Sequence, residues 1–217
     1  MKIMSTALSL NALINYAFDY VTETIKKHNI DESHSLKHSM EVFRFAKQIY
    51  ESEVLKHPFL ENQKEIIFAA AIGHDMCDKK YMNETAGVTN YKKYLSDFMM
   101  QDDLEIMGKI ISTMSYSKVK KYGYPNLDEY QLAYHIVREA DLLAAYDIDR
   151  CIMYTMHRDN LKYTETLSEV FDLFDYRVFK MRSDRLFKTA YSKKESLKLQ
   201  RKAKKDVASL KNVLLHL

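Results

Sequence analysis

The sequence predicts an all-α fold: a single domain built as a bundle of roughly eight to nine helices, with a long helix at the C-terminus. Three observations predict it. The 217 residues include only four glycines and two prolines, too few helix breakers for a turn-rich β architecture. Apolar residues make up 47% of the chain and recur at the helical spacings of three and four. No repeat or linker divides the chain, whose length suits one domain with a sizeable core.

The first three helices follow from the positions of the apolar residues. An apolar stripe of helical period marks the first helix, at Leu10, Leu13, Ile14, Ala17, Phe18, Val21 and Ile25. Asp31 and Ser33 are expected to cap a second helix over about 35–54. A third helix, over about 62–75, is apolar on nearly all sides and is therefore expected to be the most buried element.

The rest of the chain is predicted to be helical too, except for a loop over 115–126 that contains a glycine and a proline. The remaining helices are expected at about 84–99, 102–114, 127–146, 150–158, 165–181 and 184–215. No strand is expected. The single domain is expected to cover residues 1–217, with the sequence motifs in a core over about 25–185 and a basic C-terminal helix, 186–217, packed on that core.

The positive charge of the chain is concentrated at its C-terminal end. Residues 193–217 hold eight Lys or Arg and two acidic residues, a local charge of +6, although the whole chain carries only +3. We interpret this segment as a solvated helix face. The alternative is a surface for an anionic partner, such as a substrate phosphate, nucleic acid or a membrane. Nucleic acid is not favoured, because the segment lacks the glycine-rich or aromatic-interleaved character of RNA-binding tails.

Cysteine usage and the N-terminal segment predict a cytoplasmic protein. The two cysteines, Cys77 and Cys151, do not form a CxxC pair and do not resemble a disulfide framework, so a reducing compartment fits best. The first twenty residues are interrupted by polar side chains, and we expect a helix there and no signal peptide. No association with a membrane is expected.

Four residues predict a metal site. His74 and Asp75 stand next to each other at the end of the apolar third helix, where ionisable side chains are costly unless something pairs with them. His38 lies on the second helix, and Asp141 lies among apolar residues further along the chain. Each residue alone has an ordinary structural explanation. Together, two imidazoles and two carboxylates suit one divalent ion (Mn, Mg, Fe, Co or Ni) and leave coordination positions for water and substrate.

The same segments resemble the HD-domain superfamily of metal-dependent phosphohydrolases, and most of all its branch of small bacterial nucleoside triphosphate pyrophosphohydrolases. The likeness covers most of 25–215 and is carried by SHSLKHSMEVFRFA (33–46), GHDMCDKKYMNE (73–84) and READLLAAYDIDR (138–150), and more weakly by the tail over 173–203. All four metal positions are kept. The chain departs from the pattern at Glu41, where Arg is usual and Arg44 is a possible substitute, and at Glu139, Ala144 and Asp147.

The resemblance implies an HD-type helical bundle and hydrolysis of a nucleotide, with a nucleoside or deoxynucleoside triphosphate cleaved to monophosphate and pyrophosphate. Asp78 is predicted to be the catalytic residue that transfers a proton or orients water; the alternative is that it caps a turn. Lys79, Lys80, His34 and Lys118 are predicted to bind substrate phosphate, with solvated or capping roles as their alternatives.

Two other functions remain open at this point. A nucleotide monophosphatase or a guanosine-tetraphosphate hydrolase would use the same fold, although the latter usually has H-D-x-x-E-D where this chain has His74 to Lys79. A non-catalytic protein that binds nucleotide or nucleic acid is the alternative from another class. The expected partner is a small-molecule nucleotide. The sequence leaves the oligomeric state open, with a homodimer as one option.

Overall fold

The computed structural model describes the backbone of residues 2–215 and the side chains of 10–31, 33–212 and 214. This range contains no β-strand and folds into a single helical bundle. Its ten α-helices are α1 (Lys2–His28), α2 (Leu36–Glu53), α3 (Lys64–Gly73), α4 (Glu84–Tyr94), α5 (Gln101–Thr113), α6 (Tyr116–Tyr122), α7 (Gln131–Ala144), α8 (Ile148–Asp159), α9 (Tyr163–Tyr176) and α10 (Ala190–Leu215). The prediction of an all-α bundle with a long C-terminal helix is confirmed.

Helix α3 is the centre of the bundle. Every residue from Ile66 to Gly73 is buried, because α1, α2, α5 and α7 all pack against it. Burying this apolar surface from all sides is the main favourable contribution to folding of such an element. The prediction that the third helix is the most buried one is therefore confirmed. Because α3 is central, the segment that follows its C-terminal end also lies inside the molecule.

Helix α6 is the main difference from the predicted elements, because the segment 115–126 was expected to be a loop. The side chain of Ser115 accepts a hydrogen bond from the backbone N–H of Lys118 at 3.4 Å, which caps the first turn. The helix ends at Gly123, whose φ of 79° lies in the left-handed region that glycine adopts without strain. The glycine thus ends a short helix that the sequence pattern did not reveal.

The cap expected for the second helix is also placed differently. Asp31 Oδ1 accepts the backbone N–H of Ser33 at 2.9 Å and closes the short 3₁₀ turn Glu32–His34. Helix α2 begins later, after Ser35 at its N-cap. Asp31 therefore caps a local turn because its short carboxylate reaches the amide two residues on.

The start of α10 is held by two buried carboxylates. Glu139 of α7 accepts hydrogen bonds from the backbone N–H groups of Lys188 (2.6 Å) and Thr189 (3.1 Å), and Glu53 of α2 accepts one from Ala190 (3.2 Å). The first amides of a helix have no partner within the helix, and a carboxylate there also interacts favourably with the helix dipole. These contacts hold the residues that lead into α10, which begins at Ala190 and not near 184 as expected.

None of the described helices combines the length and the apolar character needed to cross a membrane.

A candidate metal centre and the cavity beside it

Close packing fixes the end of α3, which carries the first two residues of the site. A side chain on Gly73 would place its Cβ 2.3 Å from the buried ring of Tyr91, whose hydroxyl donates to the carbonyl of Ala69 at 2.8 Å. Only a glycine fits against this ring. The chain then continues as the 3₁₀ turn His74–Cys77, so His74 and Asp75 leave the helix at a fixed place.

The four predicted metal ligands converge at this point. His38 Nε2 lies 3.2 Å from His74 Nε2, and Asp75 Oδ2 lies 3.2 and 3.4 Å from these two nitrogens. Asp141 Oδ1 lies 3.5 Å from His38 Nε2 and 3.7 Å from His74 Nε2. Ligand atoms bound at right angles to one ion, at about 2.1 Å each, lie about 3 Å apart. The spacing therefore suits one shared cation, and the ligand atoms of His38, His74 and Asp141 all lie within 4.8 Å of one another.

The orientation of His74 also suits a ligand. Its Nδ1 is 2.9 Å from the carbonyl oxygen of Ala71, to which it can only donate. With a proton on Nδ1, the imidazole directs Nε2 towards the other three residues, and this nitrogen can bind a cation when it carries no second proton, as in metal-binding histidines oriented by a backbone carbonyl. His38 is buried as well, but its Nδ1 has no hydrogen-bond partner in the described part of the chain.

The electrostatics of the cluster favour a cation at its centre. Burial by itself would raise the pKa values of Asp75 and Asp141, but the neighbouring histidines hold both well below the usual range. Burial by itself would lower the pKa of His74, but the two carboxylates raise it to about 10. The carboxylates thus retain a proton on His74. A divalent cation would satisfy the same two charges and bind the same nitrogen without that proton.

A cavity of about 420 Å³ opens beside the cluster, with His74, Asp75 and Asp141 in its wall. This volume is in the range of small-molecule sites. The structure places all five of the predicted catalytic and substrate-binding residues in the same wall: His34, Asp78, Lys79, Lys80 and Lys118.

Asp78 forms the turn that follows His74 and Asp75. Its Oδ1 accepts the backbone N–H of Lys80 at 2.9 Å, and its other oxygen lies 3.7 Å from the Lys80 ammonium. The capping role considered as its alternative is therefore present in the structure. The carboxylate still lies in the cavity wall, so the predicted catalytic role remains a prediction.

His34 and Lys80 lie against the ring of Tyr154. The imidazole of His34 is 4.9 Å from that ring, and the Lys80 ammonium is 4.7 Å above it and 3.4 Å from His34 Nε2. His34 is buried, so the exposed capping role considered for it is wrong. Burial, which Lys80 and Arg150 reinforce, lowers the pKa of His34 to about 4 although Asp75 opposes the shift. His34 is thus a neutral hydrogen-bonding group at neutral pH.

The two other lysines that were predicted to bind phosphate differ in whether their charge is already paired. Lys118 donates to the carbonyl of Ser112 at 2.6 Å and pairs with the carboxylate of Glu84. Its charge is already compensated. Lys79 is exposed and forms no ion pair within the described residues.

Arg150, for which the sequence predicted no role, approaches the cluster more closely than these lysines do. Its Nη1 lies 3.5 Å from His38 Nε2. Arg44, the suggested substitute for the basic residue missing at position 41, instead lies 3.5 Å from Glu41, with its side chain 63% exposed. Arg150 ends the third motif segment, and this position was the signal that could have identified it.

Comparisons with known proteins support the fold alone. Neither the known family models nor the curated proteins give a match. Among solved structures, the chain resembles a structural-genomics protein from Lactobacillus plantarum with a TM-score of 0.67 and 19% identity, over 97% of this chain and 98% of that one. The helical arrangement thus occurs at full length in a second protein.

Proposed function

We propose that the protein is a metal-dependent phosphohydrolase of the HD type. One observation carries the proposal: His38, His74, Asp75 and Asp141 come from three different parts of the chain and bring their ligand atoms within 3.2–3.7 Å of a neighbour in the cluster. Four costly ionisable groups gathered beside a cavity are hard to explain by stability alone.

His38, His74, Asp75 and Asp141 would hold the ion. A bound divalent ion would polarise a phosphoryl oxygen and lower the pKa of a water molecule. The chain supplies the other requirements of phosphoryl transfer, which are positioning and charge neutralisation. Asp78, in the cavity wall, would accept a proton from a water molecule or orient that water. Lys80, held over Tyr154, would interact with a phosphate oxygen as a point charge.

A nucleotide is the proposed substrate, with a nucleoside or deoxynucleoside triphosphate cleaved to monophosphate and pyrophosphate. A cavity of about 420 Å³ has room for a nucleotide, and its wall combines cationic groups with the aromatic rings of Tyr116, Tyr154 and Tyr176. A nucleotide monophosphatase would use the same metal centre and is the second candidate.

Product analysis tests the proposal. The purified protein is incubated with Mn²⁺ or Mg²⁺ and each nucleoside triphosphate, deoxynucleoside triphosphate and monophosphate. We expect pyrophosphate from the triphosphates, and loss of turnover in Asp75→Ala. Inorganic phosphate as the sole product would favour the monophosphatase. Absence of turnover together with absence of bound metal would favour a non-catalytic binding protein.

A further inference from the structure

Two arginines in the cavity wall have an unsatisfied buried nitrogen. Both Arg150 and Arg177 line the cavity, and the Nε atom of each is buried without a hydrogen-bond partner among the described residues. A buried donor without a partner is destabilising, and more so in a charged group. Such a cost at two positions of one cavity points to a ligand that supplies the missing acceptors.

Three of the other long cationic side chains in this wall are already paired. Lys118 is held by Glu84, Lys80 lies 3.7 Å from Asp78, and the guanidinium of Arg158 pairs with Asp159 and lies 3.7 Å from Glu169. Arg150 and Arg177 form no such ion pair in the part of the chain that the structure describes. Neither guanidinium is therefore neutralised by a direct ion pair, although Asp141, Asp75 and Glu41 interact with the charge of Arg150 over a longer distance. The exposed Lys79 is also without an ion pair among the described residues.

Arg150 belongs to the metal centre. Its Nη1 lies 3.5 Å from the ligand nitrogen of His38. If a divalent cation neutralises the carboxylates of Asp75 and Asp141, these carboxylates no longer balance the positive charge of Arg150. A guanidinium next to a metal ion suits an oxygen-rich anion such as phosphate, because its planar array of N–H donors matches two oxygens at once.

A different observation supports an anion-binding role for Arg177. Its guanidinium carbon lies 4.0 Å from the centre of the Tyr116 ring, which is close packing for a cation on an aromatic face. This contact satisfies no hydrogen-bond donor. The ring leaves the donors at the guanidinium edge to other partners while it fixes the plane of the group.

From these observations, and on the basis of the proposed function, we propose that Arg150 and Arg177 are two separate anion-binding residues of the cavity. Arg150 binds the phosphate group at the metal centre, and Arg177 binds a second phosphate group of the same substrate molecule. The cavity then selects substrates with at least two linked phosphates over monophosphates.

The test uses inorganic phosphate and inorganic pyrophosphate as probes, with their binding to the Mn²⁺-loaded protein measured by calorimetry. Wild-type protein is expected to bind pyrophosphate at least tenfold more tightly than phosphate. Arg150→Gln is expected to weaken both anions about 10- to 100-fold, the value of a charged hydrogen bond. Arg177→Gln is expected to weaken pyrophosphate by a similar factor and to leave phosphate binding within about twofold.

A second measurement separates an anion-binding role of Arg150 from a structural one. Removing a positive charge 3.5 Å from a metal ligand should strengthen Mn²⁺ binding in Arg150→Gln, whereas a variant that disorders the ligands should weaken it. Arg150→Lys and Arg177→Lys keep the charge and should recover part of the pyrophosphate affinity. They remain informative if the glutamine variants do not fold.

Arg158→Gln is the matched control, because Arg158 lines the same cavity but already has acidic partners. It should bind both anions as wild type does. The proposal is overturned if Arg158→Gln loses as much pyrophosphate affinity as the other two glutamine variants, or if those two bind pyrophosphate normally. Normal binding with intact turnover would leave the hydrolase proposal standing. Lost binding in a protein that never turns over nucleotides would contradict the hydrolase proposal alone.

Discussion

The carboxylate of Asp78 combines a structural contact with a place in the cavity wall. An asparagine there would keep an oxygen for the backbone N–H of Lys80, which is 2.9 Å away in the structure. It would lose the ability to accept a proton. Asp78 is thus the residue at which the turn-capping role and the catalytic role can be separated.

We predict that Asp78→Asn lowers kcat about 100-fold, the lower range for loss of a general acid or base. Mn²⁺ affinity and thermal stability should stay close to wild type, because the turn is preserved. Steady-state kinetics with the triphosphate substrate, together with metal titration, measure both. An unchanged kcat would assign Asp78 to the turn alone.

The lowered pKa of His135 leads to a prediction of how stability depends on pH. Burial, together with the charges of Arg138 and Lys188, lowers its pKa from 6.5 to about 4. Between these two values the unfolded chain binds a proton that the folded protein does not bind. The free energy of unfolding should therefore fall as pH decreases from about 6.5 to about 4. Above pH 6.5 the stabilising contribution of the lowered His135 pKa should be fully present.

Urea denaturation at pH 7 and pH 5 checks this prediction. His135→Asn should show a smaller loss of stability between the two pH values than wild type. A part of the loss should remain, because His34 also has its pKa lowered to about 4. An identical loss in both proteins would contradict the role given to His135.

At this scale the sequence predicted the cluster of His38, His74, Asp75 and Asp141 but not its surroundings. Asp141 and the pair His74 and Asp75 were identified because ionisable side chains in apolar segments need a partner, whereas His38 was identified through the order of the four residues and their resemblance to the HD pattern. The role of Glu139 was not predictable in this way. Its partners, Lys188 and Thr189, lie about fifty residues away in the chain, and only the folded structure brings their amides to its carboxylate.

Among the elements, the end of α3 controls the site. The contact between Gly73 and Tyr91 leaves no room for a side chain, and His74 follows directly. Any shift of this helix end would change the distances from His74 to His38 on α2 and to Asp141 on α7.

We predict that Gly73→Ala destabilises the protein by about 1–3 kcal/mol, the usual cost of overpacking a core, and weakens Mn²⁺ binding. The Tyr91 ring is fully buried and cannot easily move away. Gly108→Ala is the control, because its Cβ would meet Val88 at 3.0 Å, far from the metal residues in sequence. Equal metal affinities in the two variants would show that the end of α3 does not position the ligands.

Sequence periodicity predicted the long helices and missed α6. Seven residues are too few to give a clear helical period, and the glycine and proline nearby favoured a loop. The helix forms at the cavity, where Tyr116 packs on Arg177 and Lys118 pairs with Glu84. Tertiary contacts of this kind are not visible in local sequence.

For the molecule as a whole, α10 completes the bundle. It packs on α2, α7, α8 and α9, and the backbone N–H groups of Lys188, Thr189 and Ala190, at and just before its start, donate to the buried carboxylates of Glu139 and Glu53. Without α10 these carboxylates would lose their donors, and an apolar surface that includes contacts to Ala203 and Val207 would be exposed.

A chain truncated after residue 185 is therefore expected to lose cooperative unfolding and to expose apolar surface. Thermal denaturation and dye binding measure these two effects. Thr189→Val provides a milder variant, because it removes a single hydroxyl, which donates to Glu139 at 2.7 Å and accepts the backbone N–H of Ser192 at 3.3 Å. A truncated chain that unfolds cooperatively at the wild-type temperature would contradict the role of α10.

The proposed function depends most on one cation being shared by four side chains. Its most direct test is metal analysis and a crystal structure of protein prepared with Mn²⁺, alongside Asp75→Ala. We predict one ion per chain, bound at about 2.0–2.2 Å by His38 and His74 nitrogens and by Asp75 and Asp141 oxygens. We expect none in the Asp75→Ala variant, whose helical content is unchanged. A wild-type protein that binds no ion here, or a variant that binds it equally well, would contradict the account.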